Sequence, residues 1–319
     1  MTRREAILAG VLGILLALAP LVASNTLLNF LLSALIVGLA AQGWNLLGGL
    51  GGQLSFGHAA FFGTGAYATA ILQLRFGVNA WAGMAAGVAL GALVGWVIGA
   101  LSFRAKLRGS YFALVTLAFA EVLRILANAS DLTGGAAGLL IPLAPGVANL
   151  QFPSRAVFVW VVLGGVLLAL LLTAHVARGR FGAQLVAIRE NENAARALGV
   201  DVLRVKLQAI ALSGAVTAAA GCLYAQNFLY LDASIAYGTW ISVEVLIACI
   251  LGGVGTVLGP VVGALALHGV GEAAKLAVGR VAGPINGIDL VLFGALLIAA
   301  VAFVPQGIVG GLRRWGPKR

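Results

Sequence analysis

The chain has 319 residues, of which 61% are hydrophobic and 9% charged, and it carries a net charge of +10. A soluble domain needs roughly 25% charged residues to clothe its surface, so a soluble fold is excluded and an all-α polytopic membrane protein in a lipid bilayer is expected. The positive charge lies in loops beside apolar runs, where it sets topology, and implies no nucleic-acid partner.

Arg3 and Arg4 precede an apolar run as in a signal peptide, but no convincing small-residue cleavage site follows and the next run begins at once. The segment reads as an uncleaved first helix. Apolar runs of about 20 residues cross a ~30 Å hydrocarbon core. They fall near Ile7–Ala23, Leu27–Leu47, Leu54–Leu74, Trp81–Phe103, Tyr111–Ala127, Ala156–Val176, Leu207–Phe228, Trp240–Leu251, Val257–Val278 and Ile288–Val304. The expectation is about ten transmembrane helices, two of them interrupted or shortened by glycines. The 45 glycines also allow helix backbones to approach closely in lipid. The stretch 128–155, with Asp131, Thr133 and three prolines, cannot cross a membrane and reads as an external loop.

Charge fixes orientation. With a cytoplasmic N-terminus, fifteen of the twenty basic residues lie inside, including Arg104, Lys106, Arg108 and the six between Arg178 and Lys206. Arg75, Arg124, Arg155, Lys275 and Arg280 remain outside. This asymmetry calls for an even number of helices and for both termini in the cytoplasm.

Polar residues at membrane depth mark the candidate pathway. Asn45, Gln53, Ser55 and His58 lie in the glycine-rich stretch Gly43–His58, and each is costly against lipid, so they should face protein or a water-filled cavity. Pathway lining and simple helix packing are both open readings of these glycines. A phosphate-binding loop is not, because no lysine is near. The run Gly48–Leu54 is echoed by Gly252–Leu258, and paired glycine interruptions in two halves of a transporter mark broken helices beside the pathway; a Gly/Val/Leu-rich composition could also produce the echo.

The intramembrane acids are Glu121, Glu244, Glu272 and Asp289. Glu121–Arg124 and Glu272–Lys275 are three apart and can neutralise each other on a helix face, a structural role preferred here to substrate contact. Glu244 has no near partner and joins the pathway candidates. His58, His175 and His268 lack ligand spacing, and no Ser/His/Asp or HExxH arrangement occurs, so no catalytic residue, cofactor or metal is expected. Cys222 and Cys249 read as small buried hydrophobes.

The polar stretch 178–206 interrupts this apolar chain and offers a soluble partner something to grip. As an amphipathic helix it groups Ile188, Ala195 and Leu198 on one face and Arg189, Glu192 and Arg196 on the other, with Gly199 at its end.

Three segments carry a family resemblance. Trp44–Gly49 with Gly51–Gly63, Ala187–Val200 and Leu251–Pro260 resemble, in order, the early signature, the ATPase-coupling loop and the late glycine-rich motif of the branched-chain amino acid ABC permease family, and more closely its LivM-type than its LivH-type members. The resemblance implies a type II ABC importer-like permease, a single transmembrane domain 1–319 without catalytic activity of its own. It implies as partners a homologous LivH-type permease, two ATP-binding cassette ATPase subunits and a periplasmic amino acid-binding protein, in a bacterial inner membrane. It assigns coupling to Glu190, Glu192, Ala194, Ala195, Arg196 and Gly199, although the coupling pattern is degenerate and leaves open which glutamate meets the ATPase. Members for urea and short amides leave the substrate open as well. An ion-coupled secondary transporter, which needs intramembrane acids and no docking helix, and a membrane enzyme are the rival classes.

The topology is testable. Single cysteines at Gly199 and Gly146 should react with an impermeant reagent from opposite sides of the membrane, and labelling of both from the periplasm would contradict the assignment.

Overall fold

The computed structural model describes residues 3–282, 291, 294–295 and 307–314. The expected span Ile288–Val304, Asp289 and the side chain of Lys275, with its expected pairing to Glu272, lie outside the described residues. The described chain is almost wholly helical. In order come α1 (Arg3–Val22), α2 (Asn25–Trp44), α3 (His58–Phe76), α4 (Ala80–Arg104), α5 (Gly109–Ala129), α6 (Arg155–Arg178), α7 (Arg180–Glu190), α8 (Glu192–Ala197), α9 (Val202–Phe228), α10 (Ala233–Ala236), α11 (Thr239–Gly252) and α12 (Gly259–Ala282), with a last helix at Gly307–Arg314. Nine of the ten expected spans fall on helices. Six of the described segments are long and apolar enough to cross a membrane: Asn25–Leu50, Ala80–Arg104, Gly109–Ala129, Arg155–Arg178, Val202–Phe228 and Ala233–Gly252.

Two starts differ from the sequence expectation, for identifiable reasons. α2 runs on through a π-helical turn at Asn45–Leu50, and the chain is then non-helical to Gly57, so α3 begins at His58 rather than Leu54. Four glycines in five positions remove the helix preference there, and Gly52 takes a positive φ of 65°. The Trp44 indole N–H closes the break by donating to the Ser55 carbonyl at 2.9 Å. α9 begins earlier than expected, at Val202, because the Asp201 side chain caps it by accepting from the Arg204 N–H at 3.1 Å.

Close backbone packing holds the bundle. Gly83, Gly87, Gly91, Gly95 and Gly99 form a buried stripe along α4, and it faces α9: a Cβ at Gly91 would stand 2.8 Å from the Gly214 carbonyl oxygen, and one at Gly95 2.6 Å from that of Ile210. In lipid, such approach supplies the dispersion contacts that hydrophobic burial supplies in water. α3 completes this trio. α2 lies between it and a second group formed by α11 and α12, with α6 on its flank and α1 outside α6.

The bundle has two distinct ends. At one, residues 128–155 form short turns, and Leu139–Leu140 pairs antiparallel with Tyr230–Leu231, the link from α9 to α10. The Trp81 indole donates to the Val147 carbonyl at 2.8 Å and anchors α4 to the same loop. At the other end lie the α4–α5 turn, α7, α8, the start of α9 and the α11–α12 turn, with Arg104, Lys106, Arg108, Arg178, Arg180, Arg189, Arg196, Arg204 and Lys206.

Candidate functional site

The stretch 178–206 forms α7, α8 and the first turn of α9 rather than the single amphipathic helix expected. Asn191 has extended backbone (φ −156°, ψ 105°), which ends α7, and its side chain starts α8 by accepting from the Ala194 N–H at 3.0 Å. Helical periodicity does not carry across this corner. Ile188 and Ala195 are buried as expected, but Leu198 is 84% exposed and Glu192 turns inward, a correction to the expected faces. α8 stops at Gly199, whose φ of +85° suits glycine, while the Val200 N–H returns to the Ala195 carbonyl at 3.1 Å.

Glu192 is the hub of this end. One carboxylate oxygen accepts from Lys206 Nζ at 2.8 Å, and the other from Arg108 at 3.0 Å and Arg196 at 3.3 Å. Lys206 is almost fully buried and also lies 5.3 Å above the Phe103 ring. Burial pulls the Glu192 carboxyl upward, but the Lys206 hydrogen bond and the charges of Lys206, Arg108 and Arg196 outweigh it and hold it below the usual glutamate value. Glu190 is the opposite case: it is 68% exposed and, among the described residues, paired only with its neighbour Arg189, at 2.8 Å.

Arg189 reaches the other way, into the bundle. Its stem covers Gly52, and its guanidinium donates to the Gly49 carbonyl at 3.0 Å. The two echoing glycine-rich runs meet here. The Asn45 side chain accepts from the Gly255 N–H at 2.7 Å and donates to the Thr256 carbonyl at 2.9 Å. Gln42 adds a bond to the Val257 carbonyl at 2.7 Å and takes one from Thr173 on α6 at 3.1 Å. A Cβ on Gly49 would lie 2.7 Å from the Gly255 nitrogen, so a larger residue would force the runs apart. Thus the interruption of α2 and the α11–α12 turn are clamped together, with α7 attached to the clamp through one guanidinium.

The other pathway candidates fall in three places. Ser55, inside the break, and His58, at the start of α3, are fully buried, with the Ser55 hydroxyl accepting from the Gly57 N–H and His58 Nε2 2.9 Å from the Ser213 hydroxyl. Gln53 is half-buried and bonds to the Gly51 carbonyl at 3.0 Å. Glu244 lies elsewhere, in a cavity of about 150 Å³ lined also by Phe62, Tyr224, Trp240 and His268, with His268 Nε2 3.4 Å from its carboxylate. None of the other four candidates lines that cavity. Arg189, Gln42 and Thr256 were not among the expected site residues. Gln42 carries the same signal as Asn45, a polar side chain inside an apolar run, whereas the Arg189–Gly49 bond joins residues 140 apart and leaves no local trace.

The Glu192 hub makes a measurable claim. Glu192→Ala leaves Lys206 buried without its nearest counter-charge, which should cost the loop about 1–3 kcal/mol and raise proteolytic nicking near Asn191. A carboxyl held below its usual value contributes fully above about pH 4.3, the ordinary glutamate value, and the contribution fades only as pH falls further, through the depressed value. Loop protection should therefore survive at pH 5 and fail in stronger acid; failure already at pH 6 would contradict the hub.

The family model described as "Branched-chain amino acid transport system / permease component" matches residues 26–301. The chain is 29% identical over 316 residues to the high-affinity branched-chain amino acid transport system permease protein LivM of Escherichia coli (strain K12), covering 91% of this chain and 71% of that protein. It is 28% identical to a probable LivM of Methanocaldococcus jannaschii over 81% of this chain and 78% of that protein. It is 27% identical to LivH of Salmonella typhimurium over 85% of this chain and 90% of that protein. No solved structure matches. A helical bundle with six segments long and apolar enough to cross a membrane, and a family match over most of its length, lead to one conclusion: the chain belongs to the family of branched-chain amino acid transport system permease components.

Proposed function

We propose that the chain is a permease subunit of an ATP-driven importer of branched-chain amino acids, crossing a bacterial inner membrane about ten times with both termini in the cytoplasm. Its partners are a LivH-type permease, two ATP-binding cassette ATPase subunits and a periplasmic amino acid-binding protein; the chain itself catalyses no reaction. The concentration of basic side chains at the α7–α8 end supports a cytoplasmic placement of that end. The names of the relatives, LivM and LivH, support the substrate class and the second permease.

The observation that carries the proposal is the link from an exposed surface to the broken helices. Glu190, Ala194, Arg196, Leu198 and Gly199 face outward on α7–α8 and form the surface an ATPase would grip, with Glu190 rather than Glu192 presented to it. Ala195 and Glu192 hold that surface in shape from within. A tilt of α7 pulls on the Gly49 carbonyl through Arg189, and so on the Asn45 clamp. The clamp closes the passage at this end, with Gln53, Ser55 and His58 beside the break and Glu244 in its separate cavity as further polar contacts. Two packings of such glycine-rich backbone form a bistable element that a rigid-body partner can bias.

Proteoliposomes containing the permease pair, the ATPases and the binding protein should take up leucine, isoleucine and valine only with internal ATP. Uptake driven by a proton gradient without ATP would replace this reading with a secondary transporter, and uptake of urea alone would overturn the substrate. Arg189→Ala should lower uptake by roughly tenfold, equivalent to ~1.4 kcal/mol, while ATP hydrolysis continues. Wild-type uptake in that variant would remove Arg189 from the coupling route.

A further inference from the structure

The α5 helix carries charge where a lipid-facing helix cannot easily hold it. Glu121 lies eight residues, about 12 Å, from the Ala129 end of a helix of membrane-crossing length. Its carboxylate grips Arg124 with two bonds, Oε1 to Nη2 at 2.6 Å and Oε2 to Nε at 2.9 Å. The side chains remain 41% and 31% exposed, so this bidentate pair sits on the outside of the chain. The Arg124 head is also turned along the helix toward Glu121, rather than out toward the headgroups where a long basic side chain at this depth would otherwise reach.

Two other helices of membrane-crossing length show the usual pattern. The outward faces of α4 (Leu90, Leu93, Trp96) and α6 (Leu167, Leu168, Leu171) are aliphatic or aromatic and carry no charge at this depth. On α5 the most exposed side is apolar too (Leu114, Val122, Ile125, Leu126), but along its edge, at three- and four-residue spacing, runs a half-buried stripe of Leu117, Glu121 and Arg124 that ends at the exposed Asn128, with charge at its middle. Its inner face touches the break in α2: the Thr116 hydroxyl accepts from the Phe56 N–H at 3.2 Å. One helix therefore carries a half-buried charged stripe at the edge of its exposed side and holds the interrupted segment inward.

We infer that this face of α5 lines the aqueous passage, closed on its far side by the second permease subunit, and that Glu121 and Arg124 together form a contact site for a zwitterion. The inference rests on the transport reading and names the chemistry of its passage. A carboxylate beside a guanidinium mirrors the ammonium and carboxylate of an α-amino acid. Each end of the ligand can replace one partner of the pair, the ammonium on Glu121 and the carboxylate on Arg124, so charge is compensated throughout and no bare ion is exposed at membrane depth. An uncharged solute cannot make that exchange.

Two measurements on the assembled transporter decide this. Leu114→Cys, one turn before the α5 stripe, should react with a membrane-impermeant methanethiosulfonate at least roughly tenfold faster than Leu168→Cys on α6, since the reaction needs a hydrated thiolate, and the leucine-loaded binding protein with ATP should slow it. The native Cys222 and Cys249 are buried and contribute little background. Glu121→Gln should raise the KM for leucine uptake roughly tenfold or more, the worth of a charge-assisted hydrogen bond. The exchanged pair Glu121→Arg with Arg124→Glu should not restore the KM, because it restores the ion pair but reverses the order of charges met by the ligand. Reaction of Leu114→Cys only with a lipid-soluble maleimide, protection without any ligand dependence, or a wild-type KM in the exchanged pair would overturn the site. If the unmodified transporter shows no ATP-driven uptake, the transport reading fails; the labelling needs no turnover and still decides whether this face meets water.

Discussion

The clamp formed by Asn45 is the constraint on which the other features depend. One side chain satisfies a backbone donor and a backbone acceptor of the α11–α12 turn, 2.7 Å from the Gly255 nitrogen and 2.9 Å from the Thr256 oxygen. Both groups belong to irregular backbone that lipid could not satisfy, so the bundle must supply their partners. The glycines follow from this need. Only backbones without Cβ atoms approach closely enough for an asparagine on one broken helix to serve the turn of another. The same geometry makes the element breakable, because it rests on a few directional bonds rather than on interdigitated side chains.

Charge is divided between two tasks at the α7–α8 end. Glu192, surrounded by Lys206, Arg108 and Arg196, fixes where α8 lies against α9 and the α4–α5 turn. Glu190, Leu198 and Gly199 are left outside, where a partner can meet them. On the proposed reading a docking surface that must transmit force needs both, since a surface without an inward anchor would bend when gripped. Leu185 of α7 packs beside Gly51, and Arg189 hydrogen-bonds the break through a backbone carbonyl, an acceptor that substitution elsewhere in the motif does not remove. On α5 the Glu121–Arg124 ion pair is half-exposed beside an apolar outer side, while the inner side gives the Thr116 hydroxyl to the Phe56 N–H.

Much of the architecture is legible in the sequence because apolar runs of membrane-crossing length have few other uses. The boundaries at Gly51–Gly57 and Val202 were harder. In the first, glycine content erases the helix signal over a few residues; in the second, Arg204 and Lys206 read as loop but are helical because Asp201 caps the helix and Glu192 neutralises Lys206 from 14 residues away. The meeting of the two glycine-rich runs is visible as an internal echo, with Asn45 legible as a polar residue that needs a protein or water partner. Polar residues at depth are legible one by one. Their partners are not, since Asn45 and Gly255 are 210 residues apart, and the corner at Asn191 that exposes Leu198 depends on a single extended residue inside an otherwise helical pattern. The two-residue ladder of Leu139–Leu140 with Tyr230–Leu231 is too short to leave any periodicity.

On the proposed reading, ATP acts by opening the Asn45 clamp. Hydrogen exchange in the assembled transporter, followed by mass spectrometry with and without a non-hydrolysable ATP analogue, measures this directly. Peptides covering Asn45–Gly57 and Gly252–Leu258 should gain exchange together when nucleotide binds, while the glycine stripe of α4 against α9 stays protected. Continued protection of both clamp peptides in a transporter that is importing its substrate would contradict the account.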